Sequence, residues 1–164
     1  MGYIMDLRKY VGHQTLIQCA ASIIIINDKQ EILLGKRTDN HKWGYAGGSM
    51  EIDESCEECA KRELFEETGL IADEMQLFMI NSGKRTHYVY PNGDEVCNVE
   101  IIYICNHYHG KLHPEKSEIE ELKFFPFDQI PENISDPTVP VIERFKEVYV
   151  SESDHKQPMT KPKG

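Results

Sequence analysis

With 164 residues, 40% of them hydrophobic and 28% charged, the chain has the size and mixture of one globular domain. No apolar run approaches the roughly 18 residues of a membrane-spanning helix, and the opening MGYIMDLRKYVGH lacks the apolar core of a secretory leader. The formal charge of −10 repels a nucleic-acid duplex and excludes a basic nucleic-acid-binding surface as the main feature, although metal cations can still bring a small polyanion to an acidic site. The expectation is a soluble cytoplasmic domain over residues 1–150, with a polar, disordered tail over 151–164.

In chain order, residues 15–26 (TLIQCAASIIII) are dense in β-branched side chains and read as a strand buried on both faces. A polar turn at residues 27–30 leads back into a second strand over 31–37, expected to form a hairpin with the first. A loop follows, ending in Trp43-Gly44-Tyr45-Ala46-Gly47-Gly48-Ser49. Ser55 with Glu58 three positions on predicts a capping box, and the body CEECAKRELFEET runs uninterrupted to a Gly69 stop. Residues 77–81 read as strand, with helix as the alternative. Residues 86–90 and 96–108 are strands around Pro91-Asn92-Gly93-Asp94, a strong hairpin signal. A further strand is expected over 122–127, and a helix over 138–150 from the spacing of Val141, Ile142, Phe145, Val148 and Tyr149. The order of elements implies a mixed α/β (α+β) domain with helices packed on a sheet.

The five cysteines are odd in number and carry no secretion signal, so reduced thiols are expected. Cys56 and Cys59 form a CxxC, but the matching second pair of a zinc knuckle is missing, and they read as small helix-packing residues. His107 and His109 share one strand face without a clearly spaced acidic or Cys partner, and solvent-facing histidines are the preferred reading over a metal site that would include His113.

The helix carries the chemistry. Glu63, Glu66 and Glu67 are related by i+3 and i+4, so they fall within about a 100° arc of one face. Arg62 compensates only part of that charge, and Lys61 points to the far side. A solvated acidic face and a site for a hard divalent cation both satisfy this pattern. Gly47-Gly48 just before the helix permits close backbone approach, and Glu51 and Glu54 add two further carboxylates.

The segment GSMEIDESCEECAKRELFEETGL fills a known frame: Gly48, five residues, Glu54, seven residues, Arg62-Glu63-Leu64, then Glu66-Glu67 and Gly69-Leu70. In this it resembles the Nudix box, and the chain is identified as similar to the Nudix hydrolase superfamily, of the MutT-like kind. The resemblance implies an α/β/α sandwich with a mixed central sheet. It implies hydrolysis of a phosphoanhydride in a nucleoside diphosphate linked to a group X, such as ADP-ribose, a nucleotide sugar or a (d)NTP. It makes Glu66 and Glu67 primary ligands of Mg²⁺ or Mn²⁺, Glu63 a third ligand or the base, and the Gly47 carbonyl a backbone ligand. Arg62 and Glu54 tie loop to helix. A distal Glu is expected among Glu118, Glu120 and Glu121, with Glu118 favoured. The partner is a small nucleoside diphosphate derivative, with no nucleic-acid duplex and no membrane, and a homodimer is compatible with the family.

Substrate choice is less legible. Tyr45-Ala46 stands where relatives often carry Leu-Pro, which loosens the loop. Tyr88, Tyr90 and Tyr103 would stack a base, and Arg85 or His87 would touch a phosphate, if they faced the cleft; a solvated strand edge is the preferred reading of each. Three other readings remain. A non-catalytic nucleotide-binding Nudix module would usually have lost box carboxylates. A dinucleoside polyphosphate hydrolase often carries a Tyr near this region. An isoprenoid-diphosphate isomerase would need a Cys nearer the box than Cys19.

Overall fold

The computed structural model describes residues 2–153, with side chains through residue 150. The centre of the molecule is β1 (Leu16–Ile25), whose last residues are apolar at every position and buried on both faces. Such a strand needs neighbours on both edges and cover on both sides. Its edges are taken by β4 (Ala46–Ser49), antiparallel, and β7 (Glu95–Gly110), parallel. β7 also carries β5 (Leu70–Asn81) and the short β6 (His87–Val89), both antiparallel, so the sheet is mixed as expected. The Asn92-Gly93 turn joins β6 to β7, with Gly93 at φ 90°, a left-handed value that glycine adopts without strain.

Cover on one face comes from α2 (Cys56–Thr68), which sets Cys59, Ala60 and Leu64 against Ala21, Ile23 and Ile25. Cover on the other comes from a second sheet and the last helix. That sheet is antiparallel, in the order β3 (Trp43–Gly44), β2 (Glu31–Arg37), β8 (Ile119–Pro126). It packs with α3 (Val139–Ser153), whose Val141, Ile142 and Phe145 meet Ile24 and Ile102. The alternation of β1 therefore feeds two separate cores.

Several expectations change. The strands over 15–26 and 31–37 do not form a hairpin, because both edges of β1 are already occupied. Only the bridge Ile26↔Ile32 joins the segments, and β2 departs into the second sheet. The segment beginning at residue 77 belongs to a strand that starts at Leu70 and is interrupted by three register shifts, which is why its alternation is hard to read. Trp43–Gly44 and Ala46–Ser49 are strands rather than loop. An unforeseen helix, α1 (Tyr3–Val11), opens the chain; its N-cap is Gly2 with no side-chain cap, so the usual start signal is missing. α3 runs three residues into the expected tail, and residues 154–164 lie outside the described residues.

Candidate active site

The geometry of α2 follows from its ends. Ser55 Oγ accepts from the Glu58 amide at 3.1 Å while Glu58 Oε2 accepts from the Ser55 amide at 2.8 Å, completing the capping box. At the other end Gly69 takes φ 76°, and its N–H reaches the Phe65 carbonyl at 2.8 Å. With Leu64 fully buried beneath β1, the neighbouring positions 63 and 67 turn toward β4. There Gly47 is required by space, and Gly48 leaves room for the Glu63 carboxylate. A Cβ on Gly47 would overlap Ser22 of β1, and one on Gly48 would overlap the Glu63 carboxylate.

Arg62 organises the carboxylates. Its Nε donates to Glu54 Oε1 at 2.6 Å and its Nη2 to Glu54 Oε2 at 3.0 Å, a two-point grip between helix and preceding loop. Nη2 also donates to the Ser49 carbonyl at 3.1 Å, and Nη1 reaches Glu63 at 2.7 Å and Glu66 at 3.2 Å. The guanidinium holds the Glu54 carboxyl down to about 2. Burial has the opposite effect on Glu63, whose affinity for a proton is raised despite Arg62. Glu67 is 6% exposed, and burial pushes it up to about 8, with Glu63 and Glu118 adding repulsion against the pull of Arg37 and a hydrogen bond from the Gly47 amide. Glu66 stands on the outer edge with its side chain 56% exposed.

Of the three distal candidates, Glu118 feels Glu63 and Glu67. Glu120 is held elsewhere, by Lys36 at 3.3 Å and by His41. Glu121 has no hydrogen bond or ion pair in the cluster; it sits opposite Lys36 in the β2–β8 pairing. Among the described residues no three acidic, His or Cys side chains already converge as a finished cation cage. The donor set nonetheless suits a hard cation. It is all oxygen, it carries more negative charge than Arg62 and Arg37 balance, and two of its members sit where their own charge is costly.

A pocket of about 170 Å³ opens beside Glu67, lined along one side by Gly47, Gly48 and Ser49. Its floor comes from the even positions of the two central strands: Gln18, Ala20 and Ser22 of β1, and Asn98 and Glu100 of β7. Glu100 accepts from Ser22 Oγ at 2.5 Å and Tyr45 OH at 3.3 Å, and burial raises its affinity for a proton. Asn98 Oδ1 is buried with no partner. Tyr88 and Tyr90 form the rim, edge to face with ring centroids 5.0 Å apart.

The preferred solvated-edge reading is therefore corrected for Tyr88 and Tyr90, because β6, paired with the start of β7, and the residue after it bring both rings to the pocket. It holds for Arg85 and His87, which pair at the surface with Glu143 and Glu95. Tyr103 is 6% exposed in the core under α2. His107 and His109 are solvent-facing as expected, though β5 supplies them with Glu74 and Asp73. Cys59 is buried and Cys56 packs against the same core, as small packing residues would. Glu100, Asn98, Gln18, Asp39 and Asn40 were not singled out from sequence. The available signal is the placing of polar residues on one face of otherwise apolar strands, Gln18 and Ser22 at even positions of β1 and Asn98 and Glu100 at even positions of β7.

The fold that carries this site is found in known proteins. The chain matches the NUDIX domain over residues 17–145, and it belongs to that family. It is 25% identical over 139 residues to the NAD-capped RNA hydrolase NudC of Vibrio cholerae, covering 76% of this chain and 48% of that protein. The chain thus spans about half the length of such curated relatives. Among solved structures, a MutT NUDIX hydrolase from Burkholderia pseudomallei superposes with a TM-score of 0.66 at 24% identity, over 79% of this chain and 98% of that one. The NUDIX domain of Shewanella oneidensis NrtR, complexed with ADP ribose, gives 0.65 at 19% identity, over 90% and 98%. These likenesses show the fold. Nudix hydrolases generally use divalent metal ions, and no helix of the described residues is long and apolar enough to cross a membrane.

Proposed function

We propose that the chain hydrolyses a phosphoanhydride in a nucleoside diphosphate linked to X. The observation that carries this reading is the meeting of two features. The carboxylate face of α2 ends, at Glu67, on a pocket with a polar floor and an aromatic rim. An acidic helix face that is merely solvated has no reason to bury one of its carboxylates or to abut such a pocket.

Glu66 and Glu67, with Glu63, Glu118 and the Gly47 carbonyl, would hold Mg²⁺ or Mn²⁺. A bound divalent cation supplies neutralisation of the diphosphate oxygens and a more acidic water. Glu63 takes the proton of the attacking water, and its raised proton affinity, combined with the Arg62 hydrogen bond, suits a base that must accept and then release it. Arg62 holds Glu54, Glu63 and the Ser49 carbonyl in one network, which keeps loop and helix aligned while the leaving phosphate departs. The nucleoside lies over Asn98 and Glu100, where the unpartnered Asn98 amide oxygen accepts from an N–H on the base edge and Tyr88 or Tyr90 stacks. Relatives named for NAD-capped RNA and for an ADP ribose complex support a nucleoside diphosphate derivative as the substrate class.

The test is Glu67→Gln, assayed with Mg²⁺ or Mn²⁺ against ADP-ribose, nucleotide sugars, dNTPs and dinucleoside polyphosphates. Loss of about 10²–10³ in kcat on whichever substrate the native chain accepts is expected, the scale seen on removing other preorganised charges. Near-native turnover by the variant would refute the assignment. Tight nucleotide binding with no turnover by the native chain would favour a binding module instead.

A further inference from the structure

The carboxylates do not sit at the end of a single pocket. A second chamber of about 460 Å³ adjoins the first, lined by Glu63 and Glu118 and by Ile4 and Met5 of α1. The two cavities share Gln18, Ser49 and Tyr90, so they form one trough crossed at its middle by the acidic cluster. The helix that closes the second chamber is fastened at both ends. The Tyr3 amide donates to Glu51 Oε2 at 2.9 Å, in the loop before α2. Arg8, 8% exposed, grips the backbone around the β6–β7 turn, with Nη2 to the Glu95 carbonyl at 2.6 Å and Nε 3.8 Å from Asp94. Its Nη1 holds the carbonyls of Gly12 and Gln14 at 3.0 Å and 2.5 Å.

A trough with room on both sides of the reacting centre takes a substrate with an organic group on both sides of the anhydride. The chemistry of the second chamber narrows that group. Glu51, Glu63, Asp94 and Glu118 line it. Its one cation is Arg8, whose Nη1 and Nη2 are committed to backbone carbonyls and whose Nε, without a hydrogen-bond partner, lies 3.8 Å from the Asp94 carboxylate. Metal ions at Glu63 and Glu118 would neutralise the diphosphate itself. A further phosphate on X would project past them into a lining where Glu51 and Asp94 outnumber the single guanidinium of Arg8. Hydroxyl groups are matched there, because they donate to carboxylate and amide oxygens, and a ring carbon face packs on Ile4, Met5 and Val96.

On the reading of the site given above, we infer that X is a neutral, hydroxyl-rich group such as a sugar, seated against α1, and that Met5 is a specificity-determining residue for it. A nucleoside triphosphate, whose X is phosphate, is the poorer substrate.

The experiment uses base-matched pairs with the full chain and Mg²⁺ or Mn²⁺: ADP-ribose against ATP, UDP-glucose against UTP, GDP-mannose against GTP. The sugar compound is expected to exceed its triphosphate in kcat/KM by about tenfold or more in at least one pair, the scale of pocket-level discrimination. Met5 is 50% exposed, so Met5→Trp narrows the chamber without invading a core, and a thermal melt verifies that it folds. The variant is expected to lower the sugar-to-triphosphate ratio about tenfold, through KM of the sugar compound. Met5→Ala, which widens the chamber, is expected to raise the same KM by a smaller factor. Equal kcat/KM within every pair, or a ratio unchanged in both variants, overturns the inference while leaving the hydrolase reading in place. No hydrolysis of any compound overturns both.

Discussion

Arg62 is the residue on which the candidate site turns, and Glu54 is its firmest partner. The Glu54 carboxyl is held down to about 2 by the guanidinium, below its ordinary value of 4.5. A carboxylate whose pKa is lowered by folding stabilises the native state above its unfolded pKa, and the gain disappears as pH falls through the folded value. The contribution of Glu54 is therefore fully present above about pH 5 and lost between there and pH 2. Glu54→Gln should flatten that part of the acid limb of a melting-temperature profile while lowering stability near neutrality. An acid limb of unchanged steepness would show that the two-point grip contributes nothing. The same substitution tests positioning: if Arg62 aligns loop and helix through Glu54, kcat falls by more than KM rises.

At the scale of elements, α2 was readable from sequence nearly to the residue, because every signal that defines it is local. The Ser55–Glu58 box, the uninterrupted body and the Gly69 stop all lie within the helix and its caps. Ser55→Ala removes the cap acceptor and should cost about 1 kcal/mol in denaturant unfolding. Because the same helix presents the acidic face, activity should fall more steeply with temperature than in the native chain. The β6–β7 hairpin was equally legible from Asn92-Gly93. The second sheet was not, since whether β2 pairs with β1 depends on β4 and β7 occupying both edges of β1, and those residues are distant in sequence. The pocket proposed for the nucleoside is illegible for the same reason. Asn98 and Glu100 become neighbours of Gln18 and Ala20 only through a parallel pairing across some eighty positions. The frame from Gly48 to Leu70 marks the carboxylates proposed to hold metal, whereas the residues proposed to choose a substrate lie on β1, β7, β6 and α1.

At the scale of the molecule, the two cores differ in what they support. The core under α2 backs the carboxylates and takes Leu33, Leu122 and Phe124 from one face of the second sheet; that sheet, whose Ile32, Leu34 and Phe125 enter the core under α3, delivers Arg37, Asp39 and, just before β8, Glu118. Phe145 anchors the latter core. It is fully buried, stacked on Tyr149 at 4.7 Å and edge-on to Phe127 at 5.0 Å. Phe145→Ala should cost about 3–5 kcal/mol in equilibrium unfolding. Where the variant stays folded, it should weaken substrate binding before it weakens the chemistry, because the groups it loosens belong to the pocket wall. A variant with native KM and lowered kcat would contradict this division.

The polar floor of the pocket also bears on how the chain avoids misfolding. Residues 23–26, the end of β1 and the residue after it, are four isoleucines in succession, and a slide of one position would exchange isoleucine for isoleucine on both sides with little change in what is buried. Hydrophobicity alone leaves that stretch free to settle in competing frames. Ser22 against Glu100 and Gln18 against Ser49 remove the freedom, since a shift would turn Ser22 away from the carboxylate and strand a charged group among apolar side chains. The groups proposed to read the base thus also act as the index marks that align the central strands, and selection on substrate choice at Glu100 is simultaneously selection on folding to a single structure.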